Sequence, residues 1–166
     1  MSNRRFRRWI VILGATVFGL ALAIQLVPYG WRHPNPPVTA DAPWPSDAAR
    51  RVAVTSCYDC HSNETDWPVY SYVAPMSWLV RKDVEEGRGE LNFSTWDEDD
   101  NDADDAIETI ESGSMPPRRY TLLHGDARLS SEEEALLIEA LRIMDEQRGN
   151  GDDRSGPGGG GEREDD

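Results

Sequence analysis

Hydrophobic positions crowd the start of the chain. From Trp9 to Val27 the only polar side chains are Thr16 and Gln25. At about 1.5 Å per residue, a helix of that length just crosses a ~30 Å hydrocarbon core. The pattern predicts a membrane-spanning helix over 9–27. Arg4, Arg5, Arg7 and Arg8 precede it, so the positive-inside rule puts the stub 1–8 in the cytoplasm. Trp9 at one end and Tyr29 with Trp31 at the other stand where interfacial aromatic anchors stand. The bland alternative is a cleaved signal peptide. Its apolar region runs about 7–15 residues and ends at a small-residue site, and Gln25-Leu26-Val27-Pro28-Tyr29-Gly30-Trp31 offers none. On either reading, the chain beyond Tyr29 lies outside the cytoplasm.

Further on, apolar positions recur at helical spacing. Residues 28–45 carry Pro34, Pro36, Pro37, Pro43 and Pro45, which predicts a stiff, extended linker lifting a domain off the bilayer. The folded domain is expected over 46–147. Ser46 suits a helix N-cap, and Ala49, Val52, Ala53, Ser56 and Cys57 follow at helical spacing, running directly into Tyr58-Asp59-Cys60-His61. A second helix starts near Pro75, with Met76, Leu79, Val80 and Val84 on one face and Gly87 as its stop. A short third helix covers 103–112. The last opens on a capping-box pair, Ser130 and Glu133, and carries Leu137, Leu141 and Met144 as its stripe. The tail, 148–166, is glycine and charge and is expected to be disordered. No strand-type alternation persists, so the fold class is mostly α.

Composition narrows the function. The 166 residues carry a net charge of −14, with Lys82 as the sole lysine. Nucleic-acid binding is excluded, because phosphate contacts need a cationic surface. A domain of about 100 residues is marginal on burial alone, so a large apolar cofactor would help complete its core.

Both cysteines fall in one motif, Cys57-Tyr58-Asp59-Cys60-His61. Two thiols at that spacing meet the two vinyl groups of one porphyrin, and the adjacent imidazole reaches the iron. The reading is one covalent haem c on Cys57 and Cys60, with His61 as proximal ligand. A dithiol or disulfide is one rival, but a thioredoxin-like site needs a βαβ context that is absent here. Zinc is the other, and Cys57, Cys60, His61 and a distant His124 make an odd set of four.

Met115 is the leading candidate for the second axial ligand. It lies between Gly113-Ser114 and Pro116-Pro117, a stiff turn that can present a thioether at low ordering cost. Methionine opposite histidine raises the reduction potential, which suits electron transfer. The competing reading is core filler. His124, in a polar stretch, is the alternative ligand; Met76 reads as core, and His33 sits in the linker.

Several segments together resemble a family of small bacterial haem-binding domains, similar in pattern to class I c-type cytochromes. They are Val27-Pro28-Tyr29-Gly30, Cys57 through Thr65, Trp67-Pro68-Val69-Tyr70, Leu91-Asn92-Phe93 and Met115-Pro116-Pro117. The resemblance spans roughly 46–145 and implies a mono-haem, cytochrome c-like helical domain anchored to the membrane. It supplies no physiological role.

Trp67, Tyr70, Tyr72 and Trp78 are expected to wall off the haem, and Arg81, Arg118 and Arg119 to offer partners for its propionates. The acidic run 97–105 reads as a solvated loop. It lacks the glycine a calcium loop needs, and it could steer a basic redox partner. The function expected is electron transfer, not enzymatic catalysis. It would take place on the periplasmic side of a bacterial inner membrane, with redox partner proteins in or at that membrane and no small-molecule substrate. Haem-based redox or gas sensing is the alternative. Peroxide reduction is the minor one, with His124 the only histidine available as distal acid–base.

Overall fold

The computed structural model of the chain describes residues 3–97, 101 and 103–152. The helices are α1 (Asn3–Ile24), α2 (Asp47–Ser56), α3 (Tyr58–His61), α4 (Met76–Glu90), α5 (Ala103–Glu111), α6 (Arg118–Thr121) and α7 (Ser131–Asp152). Short 3₁₀ turns cover Val69–Tyr72 and Gly125–Ala127. No strand occurs among the described residues, and Ala40 and Thr95 form an isolated parallel bridge. The fold is mostly α.

α1 has no buried residue and is long and apolar enough to cross a membrane. It begins at Asn3, so the arginine stub is part of the helix, and it ends at Ile24. Ser46 caps α2 as expected, its Oγ accepting from the Ala49 amide at 3.1 Å. Helix α2 does not run unbroken into the cysteine motif; Cys57 breaks it and α3 starts afresh at Tyr58. Gly87 does not stop α4, which continues to Glu90. The capping box at α7 is reciprocal: the Ser130 amide donates to Glu133 Oε2 at 2.8 Å, and the Glu133 amide to Ser130 Oγ at 3.3 Å. Those bonds to Ser130 hold the Glu133 carboxyl below its ordinary value. Helix α7 runs past Gly149 to Asp152, further than the tail boundary suggested. The remaining tail, and Glu98–Asp100 and Asp102 of the acidic run, lie outside the described residues.

The chain forms two compact units. One combines residues up to Ala40 with 58–97; its buried apolar side chains are Tyr58, Ala74, Val84, Leu91, Phe93 and Trp96. Phe93 stacks on Tyr58 at 5.3 Å and on Trp96 at 6.0 Å between ring centres. The other combines 41–57 with 101 and 103–152. There α2 contributes Ala49 and Ala53, α5 Ile107 and Ile110, and α7 Leu137, Leu141 and Met144. Removing this area from water stabilises the unit at roughly 25 cal/mol per Å² of apolar surface.

The proline-rich stretch differs from a free-standing linker. Through Ala40 it is bonded along its length to its own unit. His33 Nε2 donates to the Ser71 carbonyl at 2.9 Å, and Asn35 Nδ2 to the Thr65 carbonyl at 2.9 Å. The amides of Thr39 and Ala40 donate to the Ser94 carbonyl. Proline cannot donate, so a chain rich in it makes its contacts through carbonyls and the residues between.

Candidate functional site

The Cys57 amide closes the last turn of α2, donating to the Ala53 carbonyl at 2.8 Å. The chain passes from one unit to the other at the next peptide bond, inside the cysteine motif. Both cysteines are half-buried thiols and neither is in a disulfide.

His61 ends α3, and the segment after α4 holds it from two sides. Its Nδ1 lies 3.0 Å from the Leu91 carbonyl. A carbonyl only accepts, so Nδ1 carries the proton and Nε2 keeps its lone pair. Its own carbonyl accepts from the Phe93 amide at 2.8 Å. Burial pushes the imidazole's pKa down, against the opposing pull of the Leu91 and Gly87 carbonyls and of Glu90. The ring is therefore neutral at neutral pH, with its tautomer set. This is the state in which a histidine ligates a metal, its other ring nitrogen held by a backbone carbonyl.

Close approach of α4 makes this possible. A β-carbon at Gly87 would stand 2.6 Å from the Cys60 carbonyl oxygen. Glycine is required there by packing, which is why it sits inside a helix it would otherwise weaken. The next residue, Arg88, donates to the Ser62 carbonyl (2.7 Å), the Pro34 carbonyl (3.0 Å), Asn35 Oδ1 (3.2 Å) and Thr65 Oγ1 (2.8 Å). It ties the loop after His61 to the proline-rich segment.

The loop is itself a buried polar network. Ser62 Oγ donates to the Tyr58 carbonyl, and Asn63 donates from its amide to Ser94 Oγ and from Nδ2 to the Pro37 carbonyl. Asn92 Nδ2 donates to Asn63 Oδ1 at 3.1 Å, and the Ser94 amide to Asn92 Oδ1 at 3.0 Å. A buried network this fully bonded specifies one loop conformation. The runs Ser62-Asn63-Glu64-Thr65 and Leu91-Asn92-Phe93 thus serve mainly as scaffolding for His61.

Trp67 and Tyr72 flank His33, with ring centres 4.6 and 4.1 Å from its imidazole, and Tyr72 is exposed. Tyr70 does lie by the motif: burial, then the neighbouring Asp59 and Cys60, push its hydroxyl's pKa up. Arg81 is paired with Glu85 and bonded to the Arg32 carbonyl. Arg118 and Arg119 are exposed on α6.

In the other unit, Met115 follows α5 and the left-handed Gly113 (φ 68°). Its amide and that of Ser114 both donate to the Thr109 carbonyl, which fixes the turn, and its side chain is 38% exposed. His124 stacks on Tyr120 at 4.2 Å, its Nδ1 3.3 Å from the Tyr120 carbonyl.

A family described as a haem-binding domain matches residues 19–142. The chain belongs to that family. The match takes in the end of α1 and the proline-rich segment, in agreement with their bonding to the unit that holds His61. No curated protein and no solved structure matches the chain. The donor set fits the cofactor the family binds: a half-buried neutral imidazole with Nδ1 already engaged, beside two thiols outside any disulfide. Sequence reasoning missed Gly87, Arg88 and the Leu91 carbonyl; the Leu91-Asn92-Phe93 segment was the signal for the last.

Proposed function

We propose that this haem-binding domain is a membrane-anchored, mono-haem c-type cytochrome carrying electrons on the periplasmic side of a bacterial inner membrane. Cys57 and Cys60 would hold the haem covalently through thioethers, His61 Nε2 would be the proximal ligand, and Met115 the distal one. The observation that carries this reading is the bond from His61 Nδ1 to the Leu91 carbonyl, which aims the basicity of the ring at Nε2. Haem iron supplies one-electron chemistry between its ferric and ferrous states. The chain's part is to hold ligands still, so that little rearranges when the charge changes. The network behind His61 does that on the proximal side, and the Thr109-stapled turn does it for Met115. The four arginines at the start of α1 support a cytoplasmic N-terminus. Redox proteins in or at that membrane are the partners.

The test is the absorption spectrum of the full-length protein, made in a periplasm with haem-attachment machinery, with and without carbon monoxide. A low-spin ferrous spectrum indifferent to carbon monoxide is expected. Met115→Ala should then bind carbon monoxide and show a lower reduction potential; unchanged spectra would remove Met115 from the iron. Carbon monoxide binding by the wild type would move a sensing role ahead of electron transfer. Haem that can be extracted by acid acetone would end the covalent assignment.

A further inference from the structure

The end of α1 is clasped to the unit that carries His61. Gln25 Nε2 donates both to the Ala21 carbonyl inside α1 (3.1 Å) and to the Ala74 carbonyl (3.0 Å), so those two oxygens are immediate neighbours. The Ala74 amide returns a bond to Gln25 Oε1 at 2.9 Å. One side chain thus pairs with residue 74 on both edges, as a neighbouring strand would. Beyond it, the Tyr29 hydroxyl donates to Glu85 Oε2 at 2.8 Å. A β-carbon at Gly30 (φ +82°) would lie 2.6 Å from the Ser77 carbonyl oxygen. Residues 73 and 74 therefore stand level with the last turn of the apolar helix, and not above it on a tether.

The side chains at that level are apolar and uncovered. Val73 is 56% exposed, Tyr72 62% and Val69 87%. In a 3₁₀ turn residues three apart eclipse, so Val69 and Tyr72 share a face. Leu26, just past the end of α1, is 76% exposed.

We propose that this face, Val69, Tyr72 and Val73, is a second membrane contact, seated at the boundary between lipid headgroups and hydrocarbon. The inference rests on the reading of α1 as a membrane anchor. If Ala21 lies in the hydrocarbon, the neighbouring carbonyl of Ala74 lies at the same depth, and Val73 beside it meets lipid. The bilayer is the occupant because the face continues the lipid-facing surface of α1. With a net charge of −14, attraction to anionic headgroups is not the force; apolar burial is, and neutral lipid suffices. The contact holds the unit in one orientation, which determines the face that the site at His61 offers to partners within the membrane plane.

The experiment uses the full-length haem protein in vesicles of phosphatidylcholine alone. Nitroxide labels are placed at Leu13→Cys in α1, at Val69→Cys and Val73→Cys, and at the exposed position Lys82→Cys in α4. Collision of each label with oxygen, which partitions into lipid, is compared with collision with a water-soluble nickel complex. The expected result is a lipid-like balance at Leu13, a several-fold loss of nickel collisions at Val69 and Val73 with oxygen retained, and a water-like balance at Lys82. Lipid-like Leu13 with water-like Val69 and Val73 would overturn the contact and leave the anchor standing. A water-like Leu13 would overturn both. Shielding of Val69 and Val73 from oxygen and nickel alike would mean that protein covers the face, and would overturn lipid as its occupant.

Discussion

At Gly87, a methyl group would push into the Cys60 backbone, 2.6 Å from its carbonyl oxygen, while at Gly89 a β-carbon would meet nothing within 4 Å. The two glycines lie two positions apart in one helix, and only packing tells them apart. Gly87→Ala is expected to cost about 3 kcal/mol, as overpacking does, and to reduce the yield of covalent haem. Gly89→Ala should gain up to about 1 kcal/mol from helix propensity. Urea unfolding with haem staining of the denatured chain checks both. Arg88 permits a related test. Its four bonds reach acceptors on two separate segments, 34–35 and 62–65, which a planar, forked guanidinium can span and a single ammonium cannot. Arg88→Lys is therefore expected to lose most of what Arg88→Met loses, about 2 kcal/mol, in the same urea measurement. A lysine that restored full stability would show that charge alone matters there.

Among elements, α7 was the most legible. Its capping box and its stripe of Leu137, Leu141 and Met144 were visible as spacing, and all three side chains are buried. Leu141→Ala should cost about 2–5 kcal/mol by leaving a cavity between α7 and its neighbours, read from the shift in thermal or urea midpoint. Helix α4 was legible at its start and not at its end. Gly87 is a fair stop signal on propensity; here contact with the cysteine motif outweighs the roughly 1 kcal/mol that glycine costs inside a helix. The proline-rich segment was misjudged for a similar reason. Proline density announces extended backbone but says nothing of what the carbonyls between will bind.

On the scale of the whole molecule, the clasp between the end of α1 and α4 has a pH dependence. Burial raises the Glu85 carboxyl, but the bonds from Arg81 and Tyr29 and the Arg81 charge outweigh it, and its pKa is held below the ordinary value. The folded state therefore gives up that proton more readily than the unfolded one. The stability contributed is complete above the ordinary carboxylate value and is lost as pH falls through the lowered one. Glu85 and Arg81 are partly exposed, so the effect is below about 1 kcal/mol. Glu85→Gln should be less stable than wild type at pH 7, with the gap closing as the pH falls through the lowered carboxyl value. Urea midpoints of the full-length protein in neutral detergent across that range measure it; a gap independent of pH would assign the loss to packing.

The sequence by itself determined what lies within a few residues along the chain. The apolar run of α1, the caps at Ser46 and Ser130, the stripe of α7 and the spacing of Cys57, Cys60 and His61 are such features, and their physics is one of period and neighbouring backbone groups. Tertiary structure alone decided which carbonyl accepts the hydrogen bond from His61 Nδ1, why Gly87 must lack a side chain, where Arg81 and Arg88 bind, and that residues 28–40 are bonded into a unit. Each of these joins residues about 20 to 50 positions apart. Neither periodicity nor propensity encodes such a pairing; it exists only once α4 has packed against the cysteine motif and the proline-rich chain has found its acceptors.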